Sequence, residues 1–247
     1  ERGPRPGESS LYNRDLEFLA QLTKDASIME AHRALRTWSA PLAKFAEKAK
    51  KAPLVVLAPA PGAFVTDCTA LAEELASHGI VVASAASPGV TLMRRGDRGG
   101  SRVWSRWEDA KGAAERDATV AADLRLAFDD LIEHSRKPGS LLHDRLDEAK
   151  LGAIGVRASA AAAIKAADDD PRIQVVASIE GPEIQSPRSA KYFRVIGEAP
   201  GNATDSPFQF PERYRGGRPA GEVAATILKT TRERLQNSLA SATPATR

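Results

Sequence analysis

From about residue 53 onward, short apolar runs alternate with stretches of helical periodicity, and this restricts the chain to few folds. The runs are Pro53–Ala58, Ile80–Ser84, Leu151–Val156, Ile173–Ile179 and Tyr192–Ile196. The first four show no clean apolar/polar alternation, so they read as strands buried on both faces. Between them lie a helix at Thr66–His78, capped by Gly79, a long helix at about 103–136, and the alanine-rich Ala158–Ala167. In the long helix Val120, Leu124, Ala127, Phe128, Leu131 and Ile132 recur at helical spacings. A last helix is expected at about 220–240, beyond Pro/Gly-rich chain from Pro200 to Gly217. Strands alternating with helices predict an α/β fold: a three-layer sandwich whose mainly parallel sheet is covered on both faces.

The flanks read differently. Residues 1–12, ERGPRPGESSLY, are an extended arm. From Asn13 to Lys51, leucines and aromatics at three- and four-residue spacings predict two helices, about 13–24 and 27–50. Lys48, Lys50 and Lys51 close the second, where positive charge suits the helix dipole. The expected organisation is an arm at 1–12, added helices at 13–51, an α/β domain at 52–240 and a tail at 241–247. The chain begins at Glu1, not at a methionine. That fits either a piece of a longer chain or a mature protein whose targeting peptide has been removed.

Composition narrows the chemistry. At 247 residues, 42% of them hydrophobic, the chain is long enough for one large packed domain or two small ones. Aromatics are only 5%, so alanine and aliphatic residues must fill the core. The net charge of +3 is too thin to predict a nucleic-acid binder. Cys68 is the only cysteine, which excludes an intrachain disulfide and argues against a cysteine-based metal site. No apolar run approaches the roughly 18 residues of a membrane span. There is no GxxxxGK[ST] loop and no GxGxxG after a strand, so no nucleotide cofactor is expected.

Two blocks carry a resemblance. Residues 53–89, PLVVLAPAPGAFVTDCTALAEELASHGIVVASAASPG, and residues 145–181, RLDEAKLGAIGVRASAAAAIKAADDDPRIQVVASIEG, resemble the α/β-hydrolase superfamily. The nearest branch is that of platelet-activating-factor acetylhydrolases, dienelactone hydrolases and chlorophyllases. The first block resembles strand, His-Gly-x-Gly, helix and Leu-Ala-Ser-His-Gly. The second resembles strand, Gly-His-Ser-x-Gly-Gly, helix, Asp-Pro-Arg-Ile and Leu-Asp-Gly. The resemblance implies the hydrolase sandwich over about 53–240, with the added helices standing where the family has its first antiparallel strands.

It also implies a degenerate catalytic site. The family's nucleophile elbow is Gly-x-Ser-x-Gly; here it is Gly155-Val156-Arg157-Ala158-Ser159, with Arg157 at the serine position. A guanidinium stays protonated and does not attack a carbonyl. Ser159 falls two residues later, where back-bonding to the helix or packing against a neighbour is expected. Glu180 takes the place of the acid, and an Arg157–Glu180 ion pair is expected where the triad stood. The base position falls on Thr204 or Asp205, and all four histidines, His32, His78, His134 and His143, lie upstream. His78 reads as a helix-end residue, and His134 and His143 as surface residues. Pro61 occupies an oxyanion-donor position and has no N–H to give.

Other motifs are weaker. Asp168-Asp169-Asp170 reads as a solvated loop at a helix end. Gly96–Gly100 and Arg215–Arg218 echo RGG contacts but read as surface loops. Asn202-Ala203-Thr204 matches a glycosylation sequon, relevant only to a secreted chain. Trp104 and Trp107 read equally as a docking face or as core. These readings lead to a catalytically inactive hydrolase-like protein, without cofactor or metal, serving as an accessory subunit of a large protein complex. Its partners are other protein subunits, with no sequence-specific nucleic acid and membrane association only through partners. An organelle, plastid or mitochondrion, is the expected compartment. A pseudohydrolase binding an apolar or anionic molecule through Arg157, or an esterase with a non-standard site, are the alternatives.

Overall fold

A computed structural model gives the structure of the chain and describes residues 45, 51–91, 110–188, 190–195 and 218–241. Strands β1 (Ala52–Ala58), β2 (Val81–Ser84), β3 (Leu146–Val156), β4 (Ile173–Ile179) and β5 (Lys191–Val195) form one sheet in the order β2-β1-β3-β4-β5. Every neighbouring pair is parallel. Helices α1 (Thr69–Ser77), α2 (Ala110–Arg136), α3 (Ala160–Asp169) and α4 (Arg218–Ala240) complete the described elements. The α/β sandwich expected from the alternating pattern is the fold observed.

Two apolar layers explain why the central strands carry long apolar runs. Leu54, Val56, Leu151, Ala153 and Val176 face α2 and α3, where they meet Leu124, Phe128, Ala163 and Ala167. Their strand neighbours Val55, Leu57, Ile154, Val175 and Ala177 face the other way, onto Leu71 and Leu75 of α1 and Ile227, Leu235 and Leu239 of α4. Each fully buried Leu, Ile or Phe contributes about 1.5–3 kcal/mol on leaving water. With few aromatics available, the close fit of alanine-rich α3 against the sheet does much of the packing.

The structure amends several expectations. β3 begins at Leu146 rather than Leu151, because Asp147, Glu148 and Lys150 hide the strand behind charge. Those charges are paired: Arg136 at the end of α2 binds Glu148 through two nitrogens, and Lys150 lies 3.1 Å from Asp147. The β1–β3 register shifts between Ala52 and Leu54, around Pro53, which has no ladder N–H. The helix expected from Thr66 is a 3-10 turn over Val65–Cys68 followed by α1, and the one expected from Ala158 begins at Ala160 after a 3-10 turn. Gly79 takes the expected left-handed cap, with φ +81°.

The aspartate run is not a solvated loop. Asp168 accepts the Arg188 N–H at 2.7 Å, and Asp169 lies 3.3 Å from Lys165 and 3.9 Å from Arg125. Asp170 is buried and gripped by Arg172, whose backbone N–H, Nε and Nη2 all reach it. Burial alone would raise the Asp170 carboxyl, but these bonds outweigh it and hold it below the usual carboxylate range. The arm, the helices expected at 13–24 and 27–50 except for Phe45, the start of the long helix, Trp104, Trp107, the RGG-like loops up to Gly217 and the sequon lie outside the described residues.

Candidate active site

In a parallel sheet the carboxyl ends of the strands share one edge, and the loops leaving them meet there. At this edge the chain passes from β3 to α3 through a sharp turn. Val156 is extended, with φ −97° and ψ 125°, whereas Arg157 is left-handed, with φ +54°. An arginine in that region is uncommon and is held there only by its surroundings. Gly155 is part of what holds it. A Cβ on Gly155 would lie 2.5 Å from the Ala160 Cα and 2.7 Å from the Ala160 N, so only glycine lets the helix fold back so closely. The backbone elbow is therefore intact, and the side chain it presents is a guanidinium.

The β3–β4 register, Val156 opposite Ile179, brings Glu180 level with Arg157 on the adjacent strand. Glu180 is left-handed too, with φ +54°, and its N–H donates to the Val195 carbonyl at 2.9 Å. The next residue, Gly181, lies so close to the elbow that a Cβ there would come within 3.0 Å of the Arg157 carbonyl and overlap the Ser178 hydroxyl. Its own carbonyl accepts the Arg194 Nε–H at 2.8 Å. Arg157 and Glu180 each have an interaction partner.

Ser159 is neither a displaced nucleophile at the edge nor a helix back-bonder. It is buried, and its Oγ donates to the Pro59 carbonyl at 2.6 Å, tying the elbow to the loop after β1. That loop folds into a turn, Ala60-Pro61-Gly62-Ala63, closed by the Ala63 N–H on the Ala60 carbonyl at 3.0 Å. Proline at the second position and φ +77° at Gly62 give it type II form. Pro61 has no N–H, that of Gly62 donates to the Val90 carbonyl at 2.8 Å, and that of Ala63 closes the turn. Three successive positions of the loop thus have no free donor for a developing oxyanion.

The described histidines are at the wrong end. His78 caps the C-terminus of α1 just before β2, His134 is in the last turn of α2, and His143 precedes β3. All three belong to the amino edge of the sheet, at least a strand's length, or about 20 Å or more, from the elbow. His78 is the helix-end residue expected, and His134 and His143 are exposed as expected. Cys68 supplies no alternative nucleophile. It is buried, and burial together with the neighbouring Asp67 pushes its thiol up, so it stays protonated. Thr204, Asp205 and His32 lie outside the described residues.

Among the described residues no group of three or more His, Cys, Asp or Glu side chains could hold a metal ion, and no helix is long and apolar enough to cross a membrane. An open cleft of about 450 Å³ between α2 and the start of β4 is lined by Arg125, Leu126, Asp129, Asp169 and Arg172. It too is at the amino edge, and its charges are largely paired with one another. The sequence pattern missed the Ser159–Pro59 link, because nothing local connects residues 100 positions apart.

No protein-family model matches this sequence, and no curated protein matches it. Among solved structures, a ferulic acid esterase from Streptomyces cinnamoneus is similar over 99% of this chain and 81% of its own, with a TM-score of 0.70 at 18% sequence identity. At that identity the likeness speaks for architecture. The parallel five-stranded sheet and its helical layers are those of an α/β-hydrolase-like fold, similar to that of an esterase.

Proposed function

We propose that this chain is a hydrolase-fold protein without ester chemistry at its elbow, serving as an accessory subunit of a larger protein assembly in a plastid or mitochondrion. The observation that carries the first part is Arg157 on a preserved left-handed elbow. Around it, Pro61, Gly62 and Ala63 of the loop after β1 offer no free donor, and the described histidines lie at the opposite sheet edge. A missing nucleophile and a missing donor add up, since one lost oxyanion donor alone costs about 2.7–4 kcal/mol of transition-state stabilisation. Without a base a serine hydroxyl is a poor nucleophile, so Arg157→Ser alone restores nothing.

Likeness to an esterase favours the competing reading, an active esterase with an unusual site. One assay separates the two. The purified chain is incubated with a short-chain p-nitrophenyl ester and with a ferulic acid ester. No hydrolysis above buffer is expected from the wild type or from Arg157→Ser. Turnover that follows the protein through purification would overturn the proposal. The subunit part is tested by sizing the protein in an extract of its own cells: elution far above its 26.4 kDa is expected, and elution as a free chain contradicts it.

A further inference from the structure

We infer that the outward face of α2 is a docking surface for a basic amphipathic helix of a partner protein, a reading that rests on the accessory-subunit function and names the chemistry of the neighbour. Val120, Leu124, Phe128 and Ile132 turn one side of α2 into the core. On the other side Glu115, Ala118, Ala122, Leu126, Asp129 and Glu133 are exposed and follow one another at three- and four-residue steps. Such steps keep residues on one face of a helix, so these six form a single stripe about 27 Å long.

The middle of the stripe is apolar. Leu126 and Leu141 are the exposed large hydrophobic side chains among the described residues, and Leu126, 67% exposed, is the one on a helix. It stands beside Ala118 and Ala122, whose small side chains leave a shallow groove that a second helix axis can approach to about 8–10 Å. Next to Leu126 opens the cleft of about 450 Å³ that also holds Arg125, Asp129 and Asp169. Asp129 stays exposed although Arg172 Nη2 reaches it at 2.6 Å, and Lys165 and Arg125 approach Asp169 only to 3.3 and 3.9 Å. Both carboxylates thus keep oxygens for a further cation.

Charge selects the occupant. The stripe carries Glu115 at one end, Asp129 and Glu133 at the other, and no basic residue, in a chain whose net charge is +3. Two copies of this face repel each other in either orientation. Parallel pairing sets each carboxylate against its own counterpart, and antiparallel pairing about Ala122 sets Glu115 opposite Asp129. Nucleic acids and anionic membrane surfaces are disfavoured for the same reason. A helix that lays apolar side chains on Ala118, Ala122 and Leu126, and lysines or arginines on the acidic ends and in the cleft, satisfies the whole face.

The probe is a synthetic peptide of about 18 residues, the span of the stripe, with leucine at i, i+3, i+4 and i+7 steps and lysine elsewhere. NMR of the isotopically labelled 247-residue chain follows its binding. Amide shifts are expected within 115–133, with affinity about tenfold weaker in Leu126→Glu and unchanged in Leu141→Glu, an equally exposed leucine off the stripe. No binding, shifts centred elsewhere, or an equal loss in both variants overturns the surface. In an extract of its own cells, Leu126→Glu should elute near 26.4 kDa where the wild type elutes larger. A large wild-type assembly that Leu126→Glu leaves intact overturns the surface alone, whereas a free wild-type chain overturns the subunit reading and the partner with it.

Discussion

Three residues around the turn after β3 hold a sharp backbone reversal that sets an arginine at the carboxyl edge of the sheet. Gly155 is dictated by the approach of Ala160, Arg157 carries the positive φ, and Ser159 joins the turn to the loop after β1. Ser159→Ala leaves the buried Pro59 carbonyl without its donor, and an orphaned buried acceptor costs about 1–3 kcal/mol. Urea denaturation of Ser159→Ala should show that loss with an unchanged slope; an unchanged midpoint would mean that the hydroxyl bond is not formed in solution. The sequence marked Arg157 and Pro61 directly, because a guanidinium is no nucleophile and proline has no N–H to donate. It did not reveal the partner of Ser159, which only the folded chain brings near.

At the scale of elements, α4 has the clearest flaw. Thr231 is an unsatisfied hydroxyl in an apolar stripe, and Thr231→Val keeps its shape while removing the polar atom. We expect a stabilisation of about 1 kcal/mol, read as a Tm about 2–4 °C higher in a thermal melt. A lower Tm would indicate that the hydroxyl has a partner after all. β3 illustrates the reverse problem of legibility. Its first half reads as charged loop because Asp147, Glu148 and Lys150 are charged, yet it is strand, with Glu148 tied to Arg136 across the top of α2. Hydrophobic pattern finds the half of a strand that lies under helices and misses the half that does not.

At the scale of the whole molecule, the amino edge is fastened by charge and the carboxyl edge by close backbone packing. Asp170 joins the end of α3 to the start of β4 and, through Arg172, to Asp129 of α2. Its carboxyl is held below the usual range, so its contribution is complete above the unfolded value near 4 and fades as pH falls through the lower folded value. Asp170→Asn should lose about 1–2 kcal/mol at pH 7, allowing for the half-exposed Arg172, and the gap to the wild type should narrow by pH 3. Equal gaps at both pH values would assign the effect to shape rather than charge. The sequence by itself determined the layering, since uninterrupted apolar runs alternating with amphipathic helices are satisfied only by a parallel sheet covered on both faces. It also determined that an arginine stands at the turn after β3, which needs no coordinates to read. Tertiary structure alone decided which edge each group occupies. Strand order and register put Glu180 level with Arg157 and send the described histidines to the far edge, because such neighbours are set by hydrogen bonding between segments distant in the chain rather than by any local pattern.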